Sequence, residues 1–397
     1  MKESALTFGV HDPTIIESDG KFYLYSTDTR QPETSGIPIR KSEDLMTWEF
    51  KGQAMPEVPN DAKRWSQAVG LWAPEIIKYG DEYRIYYSAS TFGSTISYIG
   101  LATAKTPMGP FEDKGVIVKT NPELCDHNAI DANVVIDKEG EQWFVYGSFF
   151  GGIYILPLDK ESGKPKEAGF GKRIAVRPKS VDTAIEGGFI YYNSETDYYY
   201  LFCSYDSLND SYNIRVARSR QIDGPYVDSK GLAMDDLEHE PNDIGVKLLG
   251  SYQFTGEKPV FAPGHNSIFK RSDDSLFMVH HARRQTFSDK FFLNIRQLDW
   301  LSSGWPVVSP VFYEGACDEE ALELEGIWNI VRFDSDSGLK ESTTEKIVVS
   351  DYERTIGNEF NWKDVLVKTR LVVKDGGGRQ IFSGLTPEGY ALIAIKE

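Results

Sequence analysis

Five stretches of the chain open alike: Asp12-Pro13-Thr14-Ile15-Ile16, Ala73-Pro74-Glu75-Ile76-Ile77, Asp131-Ala132-Asn133-Val134-Val135, Glu186-Gly187-Gly188-Phe189-Ile190 and His265-Asn266-Ser267-Ile268-Phe269. They recur at steps of 61, 58, 55 and 79 residues. Each leads into a second, aromatic run: Phe22 to Ser26, Tyr83 to Ser88, Trp143 to Ser148, Tyr198 to Phe202 and Leu276 to His280. In four repeats, turn formers stand between the two runs: Asp19-Gly20, Tyr79-Gly80-Asp81, Glu139-Gly140, and Asn193 to Asp197. Those are hairpin positions. A repeat of this length built of strands alone predicts an all-β fold, a five-bladed β-propeller. Each opening residue then sits on an innermost strand, near the axis.

Two later segments echo each other. Ile99 to Ala104 runs on to Gly109-Pro110-Phe111, and Ile214 to Ser219 runs on to Gly224-Pro225-Tyr226. They read as third and fourth strands of blades two and four. The fifth repeat ends near Gly304-Trp305-Pro306-Val307, and the texture changes beyond Glu314. The reading is a propeller domain over residues 1–315 and a small β-barrel or sandwich domain over 316–397. Strands are expected in the latter at Ile327 to Phe333, Lys346 to Ser350, Val365 to Val373 and Ala391 to Ile395.

The formal net charge of −17 over 397 residues argues against nucleic acid as a partner. Three scattered cysteines, Cys125, Cys203 and Cys317, make neither a disulfide framework nor a metal-ligand pattern. No apolar run is long enough to span a membrane. Aromatic residues, 13% of the chain, suit both strands and sugar-stacking clefts.

The opening register places Asp12, Asp131 and Glu186 around the axis, from three different blades. Singly, each reads as a turn residue. Their matched register argues for chemistry. Hydrolysis of a glycosidic bond needs two carboxyl groups, one to donate a proton and one to activate water or attack carbon. A cluster of like charges in a partly closed site pushes pKa values apart. Glu186, flanked by apolar Ile185 and Phe189, is the candidate acid. Asp12 is the candidate base, and Asp131 would orient the acid and raise its pKa. His265 shares the register, and its imidazole could hold a hydrated cation with waters and carbonyls completing the shell. His280 and His281 are neighbours on one strand, so only one of them faces the axis.

Several segments carry a likeness: His11-Asp12-Pro13, Leu71 to Glu75, Tyr87 to Ser94, Asn128 to Val134, Gly147 to Ile153, Ala184 to Phe189, and Gly264-His265-Asn266-Ser267. Over about residues 8 to 310 the chain resembles family 43 glycoside hydrolases, and within them the endo-acting 1,5-α-L-arabinanases. The terminal strands resemble the β-barrel of the two-domain arabinanases. The resemblance implies inverting cleavage of internal α-1,5-L-arabinofuranosidic bonds in arabinan. It implies Asp12 as base, Asp131 as pKa modulator and Glu186 as acid, with a Ca²⁺ ion at the axis near His265. Trp72, Phe92 and Phe149 are expected as a sugar-stacking surface, with Asn133 and Ser148 as polar substrate contacts. Gly188 and Ala132 stand where many relatives have proline. Ser207-Leu208-Asn209-Asp210 stands where some arabinanases have a Cys-Cys segment.

Two rivals remain. One is an exo-acting α-L-arabinofuranosidase or β-xylosidase on the same scaffold. The other is a non-catalytic carbohydrate-binding propeller, which gives no reason for three carboxyl groups in one register. The expected partners are arabinan and arabino-oligosaccharides, and the expected state is a monomer. No apolar leader opens the sequence, so a secreted, cell-surface or periplasmic location implies that a leader was removed.

Overall fold

The computed structural model describes residues 7–29, 36–285, 288, 290–315, 317–318, 323–334, 344–374 and 377–397. Among the described residues up to 308, the strands form five antiparallel sheets, four of four strands and one of five. Each sheet opens on one of the repeated stretches: Thr14–Ser18, Trp72–Tyr79, Asn133–Ile136, Ile185–Asn193 and Phe261–Lys270. These five strands touch one another in sequence order, and the fifth touches the first. They therefore line a closed ring, and the protein is a five-bladed propeller. The helix Asn60–Ser66 links blades one and two.

The core explains the aromatic second strands. In the first blade Tyr23 and Tyr25 pack with Ile76, Ile85 and Tyr87 of the second blade. Phe22 and Leu24 of the same strand pack with Phe269, Phe277 and Val279 of the fifth. The pattern repeats around the ring: Tyr86 joins Phe144 and Tyr146 of the third blade, Val145 joins Leu201 of the fourth, and Tyr200 joins Met278 of the fifth. Successive strand residues face opposite ways. A middle strand wedged between two neighbouring blades is thus apolar on both faces, without the alternation of a half-exposed strand.

The hairpin turns fall where the glycines and aspartates place them. Asp19 and Gly20 both have left-handed backbones, φ 52° and 68°, as a tight two-residue hairpin requires. The echo between blades two and four also holds through the turn, since Gly109-Pro110 and Gly224-Pro225 are both cis. The blades then diverge. The fourth strand of blade two, Glu112–Thr120, follows at once, whereas that of blade four is Val246–Leu249, beyond a surface excursion. The ring is stitched at its seam by Gly9 N–H to Phe291 O (3.0 Å) and Leu293 N–H to Thr7 O (2.9 Å).

The remaining strands form a separate eight-stranded sheet. The expected strands appear as Gly326–Arg332, Glu345–Val349, Val365–Lys374 and Ala391–Lys396. Four more were not expected: Tyr352–Arg354, Glu359–Trp362, Gly377–Leu385 and the two-residue Cys317–Asp318. The first two are only three and four residues long, and the third begins with two glycines, so none stands out as a strand in the sequence. One face of this sheet holds its own core around Trp328, Trp362 and Phe382. The other face, with Val331, Ile381, Ile393 and Ile395, joins the core of blades four and five.

Candidate active site

Residues from all five blades line one cavity of about 880 Å³ over the ring, and Asp12, Asp131, Glu186 and His265 lie together in it. The backbone aims the acids. Asp12 (φ 50°) and Asp131 (φ 63°) both adopt the left-handed region just before their strands begin, and Ala73 (φ 35°), in the same register, does so at the second residue of its strand. Aspartate tolerates this conformation better than most residues. At Glu186 the turn falls on the next residue, Gly187 (φ 62°). A side chain there would also meet the His265 ring at 3.0 Å, so glycine is needed twice over. At Gly188 an added Cβ would stand 2.7 Å from Ile153.

Each carboxyl group is held differently. Asp12 accepts a hydrogen bond from Thr27 Oγ1 (2.5 Å) and pairs with His11 Nδ1 at 2.9 Å. Its own N–H donates to His281 Nδ1 at 3.3 Å, and the His11 and His281 rings stack with centroids 3.7 Å apart. Burial works to raise the Asp12 pKa. His11, His265 and Thr27 outweigh it and hold the carboxyl well below the usual range. Asp131 is more enclosed. Burial first, then the charges of Glu186 and Asp12, push its carboxyl well above the ordinary range, against the pull of a 3.1 Å hydrogen bond from Gly187 N–H. Its backbone is fixed by Asp131 N–H to Ser88 Oγ, 3.1 Å. Glu186 accepts from Ser148 Oγ at 2.8 Å and from the Tyr212 hydroxyl at 2.7 Å.

His265 Nδ1 lies 3.6 Å from Asp12 and 3.8 Å from Asp131. Of the histidine pair, His281 faces this site, while His280 faces away and accepts from Arg296 Nε at 3.3 Å. Trp72, Phe92, Ser148 and Phe149 line the cavity, and Phe92 is 84% exposed at its rim. The Ser148 hydroxyl is engaged with Glu186. Phe149 and Phe150 both have left-handed backbones (φ 51° and 44°), and Phe149 N–H is tied to Ile185 O at 2.7 Å. Asn133 departs from expectation. It is buried beneath the cavity, with Nδ2 donating to Glu75 (2.9 Å) and Oδ1 accepting from Ile190 N–H (3.0 Å). The left-handed turn at Asp131 breaks the strand alternation that would otherwise put both residues on one side. Thr27 and Tyr212 stand in none of the quoted stretches, and His11 and Glu75, which do, had no role assigned to them. Only the adjacency of His11 to Asp12 was visible.

Could these residues hold a hard cation? His265 offers one imidazole between two carboxylates, and the next residue, Asn266, is buried with both amide atoms unpartnered. That fits a hydrated divalent ion with few protein ligands. His11, Asp12 and His281 also cluster closely enough to bind a metal. Their facing atoms are already used in hydrogen bonds to one another.

The model of glycosyl hydrolases family 43 matches residues 3–306. The chain belongs to this family. Within family 43 it is 32% identical over 395 residues to an extracellular endo-α-(1→5)-L-arabinanase of Bacillus subtilis, covering 89% of this chain and 79% of that protein. It is 33% identical to an extracellular exo-α-(1→5)-L-arabinofuranosidase of Cellvibrio japonicus, covering 75% of this chain and 86% of the other. The solved endo-1,5-α-L-arabinanase of Thermotoga petrophila superposes with a TM-score of 0.82 at 28% identity, over 98% of this chain and 99% of that one.

Proposed function

We propose that this family 43 hydrolase cleaves internal α-1,5 bonds between arabinofuranose units of arabinan. Asp12 serves as base, Glu186 as acid and Asp131 as modulator of the acid. One observation carries the reading: three carboxyl groups from three blades converge in one cavity, in sharply different environments. Asp12, held ionised, takes a proton from water. The water oxygen bonds to the anomeric carbon, the glycosidic C–O bond breaks, and Glu186 gives its proton to the departing oxygen. Ser148 and Tyr212 hold Glu186 for that transfer. Burial, and then the charges of Glu186 and Asp12, raise the Asp131 carboxyl well above its ordinary range, so it can stand beside the other two without a third full negative charge.

Endo action is favoured because the relatives that align over both the propeller and the terminal sheet include endo-α-(1→5)-L-arabinanases. Trp72, Phe92 and Phe149 offer aromatic faces to the apolar C–H faces of sugars. We further propose a Ca²⁺ ion beside His265, supplying a fixed positive charge near the acids. Relatives labelled extracellular support secretion, and no helix among the described residues is long and apolar enough to cross a membrane. One chain supplies the whole cavity, so a monomer suffices.

The test is the product profile on linear arabinan, with Asp12→Ala as control. Mixed oligosaccharides in the first minutes are expected from the parent, and no turnover from the variant. Arabinose alone from the start would rule out endo action. Full activity in Asp12→Ala would remove the catalytic assignment.

A further inference from the structure

Beneath the cavity a buried belt of polar groups runs between the blades. Its hub is Glu75, 5% exposed, on the first strand of blade two. Glu75 Oε2 accepts from Thr14 Oγ1 at 3.0 Å. Glu75 Oε1 accepts from Asn133 Nδ2 at 2.9 Å. Thr14 lies two residues beyond Asp12, and Asn133 two beyond Asp131. Asn133 Oδ1 then accepts from Ile190 N–H at 3.0 Å, on the strand that carries Glu186. The fifth blade is tied in by Ser267 Oγ, which donates to Pro13 O at 2.7 Å. Glu75 does not line the cavity.

We infer that Glu75 is a positioning residue whose carboxyl group fixes the strands bearing Asp12, Asp131 and Glu186 against one another. Adhesion between blades does not require it. The blades already cohere through apolar clusters, and a buried carboxyl group carries a desolvation cost that an apolar residue in its place would avoid. What the belt adds is direction. Each hydrogen bond has one preferred geometry, and each ends within four residues of a proposed catalytic group. A misplacement of about 1 Å at reacting groups can lower rates a hundredfold.

This inference rests on the catalytic reading of the three acids, so its test keeps the two apart. Thr14→Val removes one spoke with little change of shape. Ser18→Ala is the control: Ser18 Oγ and Tyr83 OH, 2.7 Å apart, form another buried hydrogen bond between blades one and two, at the far end of the same strand. On linear arabinan, Thr14→Val should lower kcat about tenfold with KM changed less than twofold. Ser18→Ala should keep the parental kcat at a comparable loss of Tm. The double variant Glu75→Ala/Thr14→Val should have the kcat of Glu75→Ala alone, because both act through one contact. Should Glu75→Ala fail to fold, the Thr14→Val and Ser18→Ala pair decides. Equal kcat in those two variants overturns the inference. If Asp12→Ala is inactive while Thr14→Val matches Ser18→Ala, only the role of Glu75 falls. If Asp12→Ala is active, the catalytic reading falls and takes this inference with it.

Discussion

The hydroxyl of Tyr212 donates a 2.7 Å hydrogen bond to Glu186 Oε1, and the same ring stacks on His281, whose Nδ1 accepts from the backbone of Asp12. One buried side chain thus touches the proposed acid directly and the proposed base through one intermediary. The contact is tight: a Cβ added at Gly264 would lie 2.2 Å from the Tyr212 ring. Tyr212→Phe keeps the ring and removes the donor. A hydrogen bond to a charged group is worth about 1.5–3 kcal/mol. If that interaction is felt in the transition state, kcat should fall at least about tenfold with the stacked ring, and so the fold, intact. Steady-state kinetics with circular dichroism checks this. An unchanged kcat would mean that Ser148 alone is enough to hold Glu186.

Glu75 should leave a signature in stability as well as in rate. Burial pushes its pKa from 4.5 up to about 7, against hydrogen bonds from Thr14 and Asn133 that pull it down. The folded state therefore binds this proton more tightly than the unfolded chain does. The resulting stabilisation is fully present below about pH 4.5 and is lost as pH rises to about 7, roughly 3 kcal/mol in all. Glu75→Gln holds a neutral amide at every pH. Urea unfolding of parent and variant across this range cancels the other titrating groups. The parent's stability relative to the variant should decline from pH 4.5 to 7 and stay level above. A level difference throughout would contradict the raised pKa.

The propeller was legible because its cause is local and repeated. Each blade needs a turn, an opening register and a middle strand apolar on both faces; the sequence displays the register and the aromatic second run five times and the turn in four of the five repeats. The acids were legible for the same reason. Their partners were not. Tyr212 reaches Glu186 from the next strand pair, Thr27 reaches Asp12 from beyond a hairpin, and His281 comes from the fifth blade. Contacts between distant segments leave no spacing to read. Asn133, expected as a substrate contact, instead lies buried against Glu75, beyond the left-handed backbone at Asp131 that no sequence pattern announces. In the terminal sheet, strands such as Tyr352–Arg354 are too short and polar to stand out from loops.

The terminal sheet is expected to be integral to stability. Arg370 Nε donates to Asp299 Oδ2 at 2.7 Å, with both side chains largely buried between the sheet and blade five. Ser302 N–H and Oγ both donate to Glu359, at 2.7 and 2.6 Å. Asp299→Ala removes the carboxylate that takes hydrogen bonds from Arg370 Nε and Nη2. Breaking such a pair costs about 3 kcal/mol. The urea midpoint should fall accordingly, with KM unchanged because neither residue lines the cavity. A midpoint equal to the parent's would show that the sheet is only loosely attached.

The ion proposed beside His265 makes the last prediction. A cation that binds only the folded state stabilises it by about 2.7 kcal/mol at a hundredfold excess over Kd. Prolonged EDTA treatment should therefore lower Tm as well as activity, and added Ca²⁺ should restore both. His265→Ala should resemble the chelated parent and should not respond to Ca²⁺. The rival account makes His265 a partner of the acids alone, since its Nδ1 already lies 3.6 and 3.8 Å from Asp12 and Asp131. On that account the variant loses activity while the parent is indifferent to EDTA. Elemental analysis of the purified protein then decides between them: about one calcium per chain supports the ion, and none, with an EDTA-insensitive Tm, removes it.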